Sequence, residues 1–116
     1  MVGPQFHTLH AMFEAQYSDL ATAVDDIAER IRALDHPAPG GFTEYMRISN
    51  LKDQDGIPEA EKMVAVLVAD HEAVIACARK VLQIADEHHD DVTVDFLTGR
   101  MNVHEKTAWM LRSIIS

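Results

Sequence analysis

Cysteine, basic residues and long apolar runs are all scarce in this sequence, and each shortage excludes a class of protein. The single cysteine, Cys77, excludes a disulfide bond within the chain, and its place in an apolar helical stretch predicts a buried, inert thiol. No apolar run approaches the roughly 20 residues that a membrane span needs. The start, MVGPQFH, lacks the basic and apolar segments of a secretory signal, so we expect a cytoplasmic protein.

The shortage of basic residues also limits the possible partners. The chain has 10 Lys and Arg against 19 Asp and Glu, and its formal net charge is −9. Binding to nucleic acid depends on clustered Lys and Arg, and neither end of the sequence carries a basic tail, so direct DNA binding is not expected. An acidic surface is usually just a solvated one, and the alternative is a surface that collects cations.

The sequence is helical throughout, because glycine and proline fall between periodic segments and no stretch alternates with a period of two. Three long helices and one short extra helix in the long connection are predicted: Pro4 to about Leu34, Phe42–Ser49, near Pro58 to about Glu87, and Asp90 or Asp91 to about Ile114. Helices of about 30 residues are roughly 45 Å long, a length typical of four-helix bundles. We therefore predict a single all-α domain over residues 1–116, with a fourth helical partner supplied by another chain or another segment.

The first long helix is amphipathic along its whole length, with apolar residues spaced by three and four. The apolar stripe consists of Phe6, Leu9, Phe13, Tyr17, Leu20, Val24, Ile27, Ile31 and Leu34. At about 100° per residue, four side chains that can bind metal ions share an arc of roughly 100° to one side of this stripe. This ligand arc consists of His10, Glu14, Asp25 and Glu29, and His7 falls on the same arc.

One helix cannot complete a metal site from this arc. Glu14 and Asp25 lie roughly 16 Å apart along the helix axis, whereas a metal–ligand bond is about 2 Å long. However, these four residues form two pairs with a common midpoint in the sequence. His10 and Glu29 lie at equal distances on either side of a point just after Asp19, and so do Glu14 and Asp25. If two copies of the helix cross antiparallel at that centre, His10 of one copy faces Glu29 of the other, and Glu14 faces Asp25 in the same way.

Such a crossing would create two equivalent metal sites. The small residues Ser18 and Ala21 lie between the pairs and allow a second helix to approach closely. Each site would hold one imidazole and up to three carboxylates, which suits Fe(II), with Mn(II) or Zn(II) as competitors. The alternative is that these acidic residues are simply solvated, or pair with Arg30 and Arg32 as helical residues of opposite charge commonly do.

Two further histidines, His71 and His104, lie on the second and third long helices. A di-iron site within one helical bundle is commonly built from Glu-x-x-His pairs, but the positions three residues before these histidines are Val68 and Met101. A di-iron centre within one subunit is therefore not expected, and both histidines are interpreted as structural.

The stretches GPQFHTLHAMFE and AVDDIAERIRALD closely resemble the core signature of the Dps family, the miniature ferritins named for protecting DNA in starved cells. The resemblance continues through LVADHEAVI, DDVTVDFLTGR and HEKTAWMLRS. It implies that His10, Glu14, Asp25 and Glu29 are iron ligands shared with a two-fold mate, although many members have aspartate at the position of Glu14. It also implies oxidation of Fe(II), often with hydrogen peroxide, and storage of ferric mineral inside a homo-oligomeric shell of twelve subunits.

The resemblance carries two further expectations. The family pattern places another helix, with another histidine ligand, ahead of this region, so we expect a ferritin-like four-helix-bundle architecture with the first helix missing. It places acidic residues around a three-fold pore, which makes Asp91 and Asp95 candidates for iron entry; the alternative is a polar loop with a good helix cap. The leading prediction is therefore iron storage and detoxification by a ferroxidase. The alternative is a ferritin-like assembly protein that is inert without the first-helix ligand.

Overall fold

A computed structural model of the chain describes residues 6–49, 51, 56 and 59–115. It contains four helices: α1 (Phe6–Ala33), α2 (Phe42–Ile48), α3 (Ala60–Glu87) and α4 (Asp91–Ile115). The predicted all-α fold is confirmed, including the short helix in the long connection, and the described ranges contain no strand. The predicted starts at Pro4 and Pro58 lie outside the described residues. None of the described helices has a stretch both long and apolar enough to span a membrane.

The described chain divides into two compact units, one with α1 and α2 and the other with α3 and α4. In the first unit, α1 ends in a left-handed turn at Asp35, whose φ is 64°. The His36 N–H donates to the Ile31 carbonyl across this turn (3.2 Å), and the Arg32 guanidinium donates to the His36 carbonyl (3.1 Å). Pro37 follows and cannot continue a helix. These contacts give α1 a defined end just beyond the ligand arc.

In the second unit, α3 and α4 pack against each other as a helical hairpin. The connecting turn places His89 in the left-handed region (φ 58°). Asp90 then caps α4, as its carboxylate accepts hydrogen bonds from the Thr93 N–H (3.2 Å) and the Thr93 hydroxyl (2.6 Å). A side-chain oxygen at this position satisfies a backbone donor that the first turn of a helix leaves unpaired. The sequence predicted that this helix begins at Asp90 or Asp91, and the structure assigns Asp90 as its cap.

Apolar side chains of α3 and α4 form the core of this unit, and two histidines lie among them. The buried residues are Val64, Val68, His71 and Ala85 on α3, and Thr93, Met101, His104, Ala108 and Leu111 on α4. Most of them recur at spacings of three and four, so each histidine occupies a core position of its helix. The structural interpretation of His71 and His104 thus agrees with their burial.

The two histidines join α3 to α4 through a directional hydrogen-bond network. The Nδ1 atoms of His71 and His104 are 2.9 Å apart, and His104 Nε2 is 2.9 Å from a terminal nitrogen of Arg100. A guanidinium can only donate hydrogen bonds, so His104 Nε2 accepts from Arg100. His104 Nδ1–H therefore donates to His71 Nδ1, and both contacts depend on the imidazole of His104.

We expect His104→Ala to lower the free energy of unfolding by about 2–4 kcal/mol, because it leaves a cavity and removes a partner from both His71 and Arg100. Urea denaturation at matched protein concentration measures the change. Asn102→Ala, at an exposed position of the same helix, is the control and should stay within about 0.5 kcal/mol of the unchanged protein. Equal stability of the two variants would show that the network contributes nothing.

The prediction of a buried thiol at Cys77 is wrong, because the structure places Cys77 on the exposed side of α3. The residues that α3 buries near its middle are Val68 and His71, and Cys77 lies roughly 130° around the helix from the centre of the buried face. The apolar neighbours of Cys77 in the sequence suggested burial. The position of Cys77 around the axis of α3 determines its exposure.

Candidate metal centre

All four residues of the ligand arc are exposed on α1. The two residues that α1 buries are Leu9 and Ala23. At about 100° per residue, the middle of the arc lies roughly 180° around the helix from the midpoint of this buried pair. The four side chains of the arc therefore face away from the buried side of α1 and are accessible to a second molecule.

The arc consists of two pairs, each spanning one helical turn. His10 and Glu14 are one turn apart, as are Asp25 and Glu29, and Cβ atoms at this spacing are about 5–6 Å apart. Each pair can offer two ligands to a single ion, whereas roughly 16 Å of helix separates the pairs. In the part of the chain that the structure describes, no three His, Cys, Asp or Glu side chains come together in a group that could hold a metal ion.

The carboxylates of the arc form no ion pair with any residue that the structure describes. Within the described ranges, Glu14, Asp25 and Glu29 form no ion pair or hydrogen bond, and the guanidinium of Arg32 donates to a backbone carbonyl beyond the helix. These three carboxylates thus have no ion-pair partner among the described residues, although Arg32 lies on the same side of the helix. Exposed carboxylates that share a helix side repel one another, and a bound cation relieves this repulsion.

Among the described residues, His10 is the one member of the arc with a defined side-chain contact. Its ring is stacked on that of Phe6, with centroids 5.5 Å apart and an interplanar angle of 12°. His7 meets the same Phe6 ring edge-on, with a centroid distance of 5.8 Å and an angle of 78°. Neither ring nitrogen of His10 makes a hydrogen bond to any residue that the structure describes.

The apolar stripe of α1 is mostly exposed, and Leu9 is the one member that is buried. Tyr17 and Val24, on the margin nearest the ligand arc, are 76% and 55% exposed, whereas Leu20 and Ile27, farther around the helix, are 41% and 40% exposed. Tyr17 and Val24 thus form an exposed apolar margin beside the ligand arc. An apolar margin beside polar side chains is typical of a protein interface.

The sequence profile of the ferritin-like domain family matches residues 1–116. The chain is 39% identical to DNA protection during starvation protein 2 of Bacillus anthracis, over 98% of this chain and 78% of that protein. It superimposes with a TM-score of 0.95 on the crystal structure of a Dps protein from Vibrio cholerae O1, covering 100% of this chain and 73% of that one at 28% identity. The chain belongs to the Dps family.

Another relative, an uncharacterized low temperature-induced protein of Nostoc, is 45% identical over 99% of this chain and 65% of its own length. The chain thus spans just under two thirds of that relative. The Vibrio cholerae Dps protein is described as a member of a broad superfamily of ferritin-like diiron-carboxylate proteins. These similarities confirm the ferritin-like fold and the family that the sequence motifs indicated.

The residues predicted to line a Dps pore lie at the start of α4. Asp91 and Asp95 are both exposed and are one helical turn apart, so they project on the same side of the helix. His88 and His89, in the turn before α4, are exposed as well, and the His88 imidazole donates from Nδ1 to the Ile84 carbonyl (2.9 Å). The structure thus places two carboxylates at one end of the hairpin of α3 and α4.

Proposed function

We propose that this protein stores and detoxifies iron by oxidising Fe(II) at sites shared between two-fold-related copies of α1. The observation that carries the proposal is the placement of the four ligand-arc residues: they are exposed, face away from the buried side of α1, and are symmetric about one point of the helix. A second copy that crosses antiparallel at this point would bring His10 opposite Glu29 and Glu14 opposite Asp25. Membership of the Dps family supports this arrangement.

The proposed site matches the chemistry of its substrate. Carboxylates and an imidazole bind Fe(II), and an anionic set of ligands stabilises Fe(III) more strongly because the extra charge interacts with every carboxylate. The site therefore favours loss of an electron from the iron. Hydrogen peroxide is the proposed oxidant: two Fe(II) ions each give up one electron, the O–O bond breaks, and two protons complete two molecules of water. The protein contributes charge, geometry and confinement.

The remaining parts of the proposal concern the assembly. The chain forms one ferritin-like domain, and copies of it form at least a two-fold dimer and, by the Dps resemblance, a cytoplasmic shell of twelve that holds the ferric mineral. Asp91 and Asp95 would attract Fe(II) at the entrance to the shell. Direct DNA binding has no place in the proposal, because the net charge of −9 repels phosphate.

Molar mass in solution, combined with anaerobic titration of Fe(II), tests this function. We expect an oligomer that binds at least about one Fe(II) per chain, since each pair of chains would form two equivalent sites. Addition of hydrogen peroxide should then oxidise the bound iron rapidly. An oligomer without stoichiometric binding would instead identify an inert ferritin-like assembly protein, and a lone chain that binds iron would overturn the shared site.

A further inference from the structure

We infer that Phe6 is a positioning residue for the metal-binding imidazole of His10. The inference rests on the proposed function, since it assigns a role relative to a ligand of that site. Its basis is the nearly parallel stack of the two rings, with centroids 5.5 Å apart and planes inclined by 12°. Aromatic rings favour such offset stacks, so the contact selects one orientation of the exposed His10 side chain.

The helix itself brings the two rings together. Side chains of an α-helix lean toward its N-terminus, so a residue meets the side chain four positions earlier. His10 thus leans onto Phe6, while Glu14, its partner in the ligand arc, lies one turn in the other direction. The Phe6 ring is held in turn by His7, which meets it edge-on at 5.8 Å.

A stack orients an imidazole in a way that suits a metal ligand. A hydrogen bond to a ring nitrogen would orient the ring but occupy one of its two nitrogens. The stack uses the ring face, and both nitrogens, which lie on the ring edge, stay available. Within the described part of the chain, His10 makes no hydrogen bond, so the stack is its one defined restraint there.

The expected size of the effect follows from the strength of aromatic pairs. A ligand that is already oriented loses less freedom when it binds, so removing the stack should weaken metal binding without removing any ligand. From the usual strength of such pairs, we expect affinity for Fe(II) to fall roughly three- to tenfold. Loss of a ligand should lower the affinity for Fe(II) far more.

Three variants of the full chain test the inference. Phe6→Leu keeps an apolar side chain but removes the ring, Phe6→Tyr restores a ring, and Thr8→Ala, which changes an exposed residue of the same turn outside the ligand arc, is the control. Anaerobic titration with Fe(II) gives the affinity, and Co(II) spectra report the coordination of the imidazole. In metal-free protein, NMR measures the upfield shift that the Phe6 ring current imposes on the His10 ring protons.

We expect Phe6→Leu to lose the upfield shift and bind roughly three- to tenfold more weakly, Phe6→Tyr to recover both properties, and Thr8→Ala to bind within about twofold of the unchanged protein. Unchanged affinity in Phe6→Leu, or equal weakening in Thr8→Ala, would overturn the positioning role. These results differ from failure of the proposed function itself, in which the unchanged protein binds no Fe(II).

Discussion

Replacing both Asp25 and Glu29 by Ala should abolish rapid oxidation of Fe(II), with a rate at least about a hundredfold lower than that of the unchanged protein. The reason is that each proposed site takes these two carboxylates from one chain, so the double variant leaves each site with His10 and Glu14 of the other chain alone. Because loss of a supporting partner of a metal ligand already costs about 10–100-fold, loss of two ligands should cost more. Stopped-flow absorbance after mixing Fe(II)-loaded protein with hydrogen peroxide measures the rate.

The control for this variant must remove the same charge. Asp26→Ala combined with Glu105→Ala also removes two exposed carboxylates, from α1 and α4, and neither residue belongs to the ligand arc. We expect the control to oxidise Fe(II) at nearly the normal rate, and circular dichroism should show full helix content in both double variants. Fast oxidation in the Asp25/Glu29 variant would refute the ligand assignment. Equally slow oxidation in both double variants would show that the lower rate results from the change in net charge.

Replacing Ala21 by Arg should prevent the proposed two-fold contact while leaving every ligand in place. Ala21 is exposed, lies within the ligand arc and sits near the centre at which the two helices would cross. A long charged side chain there would hold the helices apart and place two cations against each other. We expect the assembly to dissociate into smaller species, and oxidation to fall as far as in the Asp25/Glu29 variant.

Ala33→Arg is the matched control for this experiment. It introduces the same side chain at another exposed position of α1, roughly 20 Å along the axis from the crossing centre. Light scattering and the stopped-flow rate should both be close to normal in this variant. If Ala21→Arg gave small species that still oxidised Fe(II) rapidly, each chain would carry a complete site and the shared site would be wrong.

The arrangement of the ligand arc could be predicted from the sequence because it is a property of a single helix. Once α1 is known to be continuous from Phe6 to Ala33, the angles of His10, Glu14 and Asp25 follow from about 100° per residue. No contact with another element is needed to place them on one side. The common centre of the two pairs likewise depends only on residue spacing.

The environment of the same helix could not be predicted in this way. The apolar stripe of α1 is continuous in the sequence, yet Leu9 is buried and Tyr17 is 76% exposed. Both are apolar members of one amphipathic pattern, and the pattern does not say which margin of the stripe meets a neighbour. The stack of Phe6 on His10 was also missed, although a spacing of four between two aromatic rings is a usable signal.

By itself, the sequence determined the helices, the ligand arc and the Dps resemblance, because each depends on local periodicity or on short motifs. The tertiary structure alone decided that His71 and His104 meet across α3 and α4 with their Nδ1 atoms 2.9 Å apart, and that Cys77 is exposed. Burial and side-chain pairing depend on the rotation of each helix about its axis, which packing between distant segments decides. The ligand arc of the first long helix needed no such packing to be predicted, whereas the contacts between α3 and α4 did.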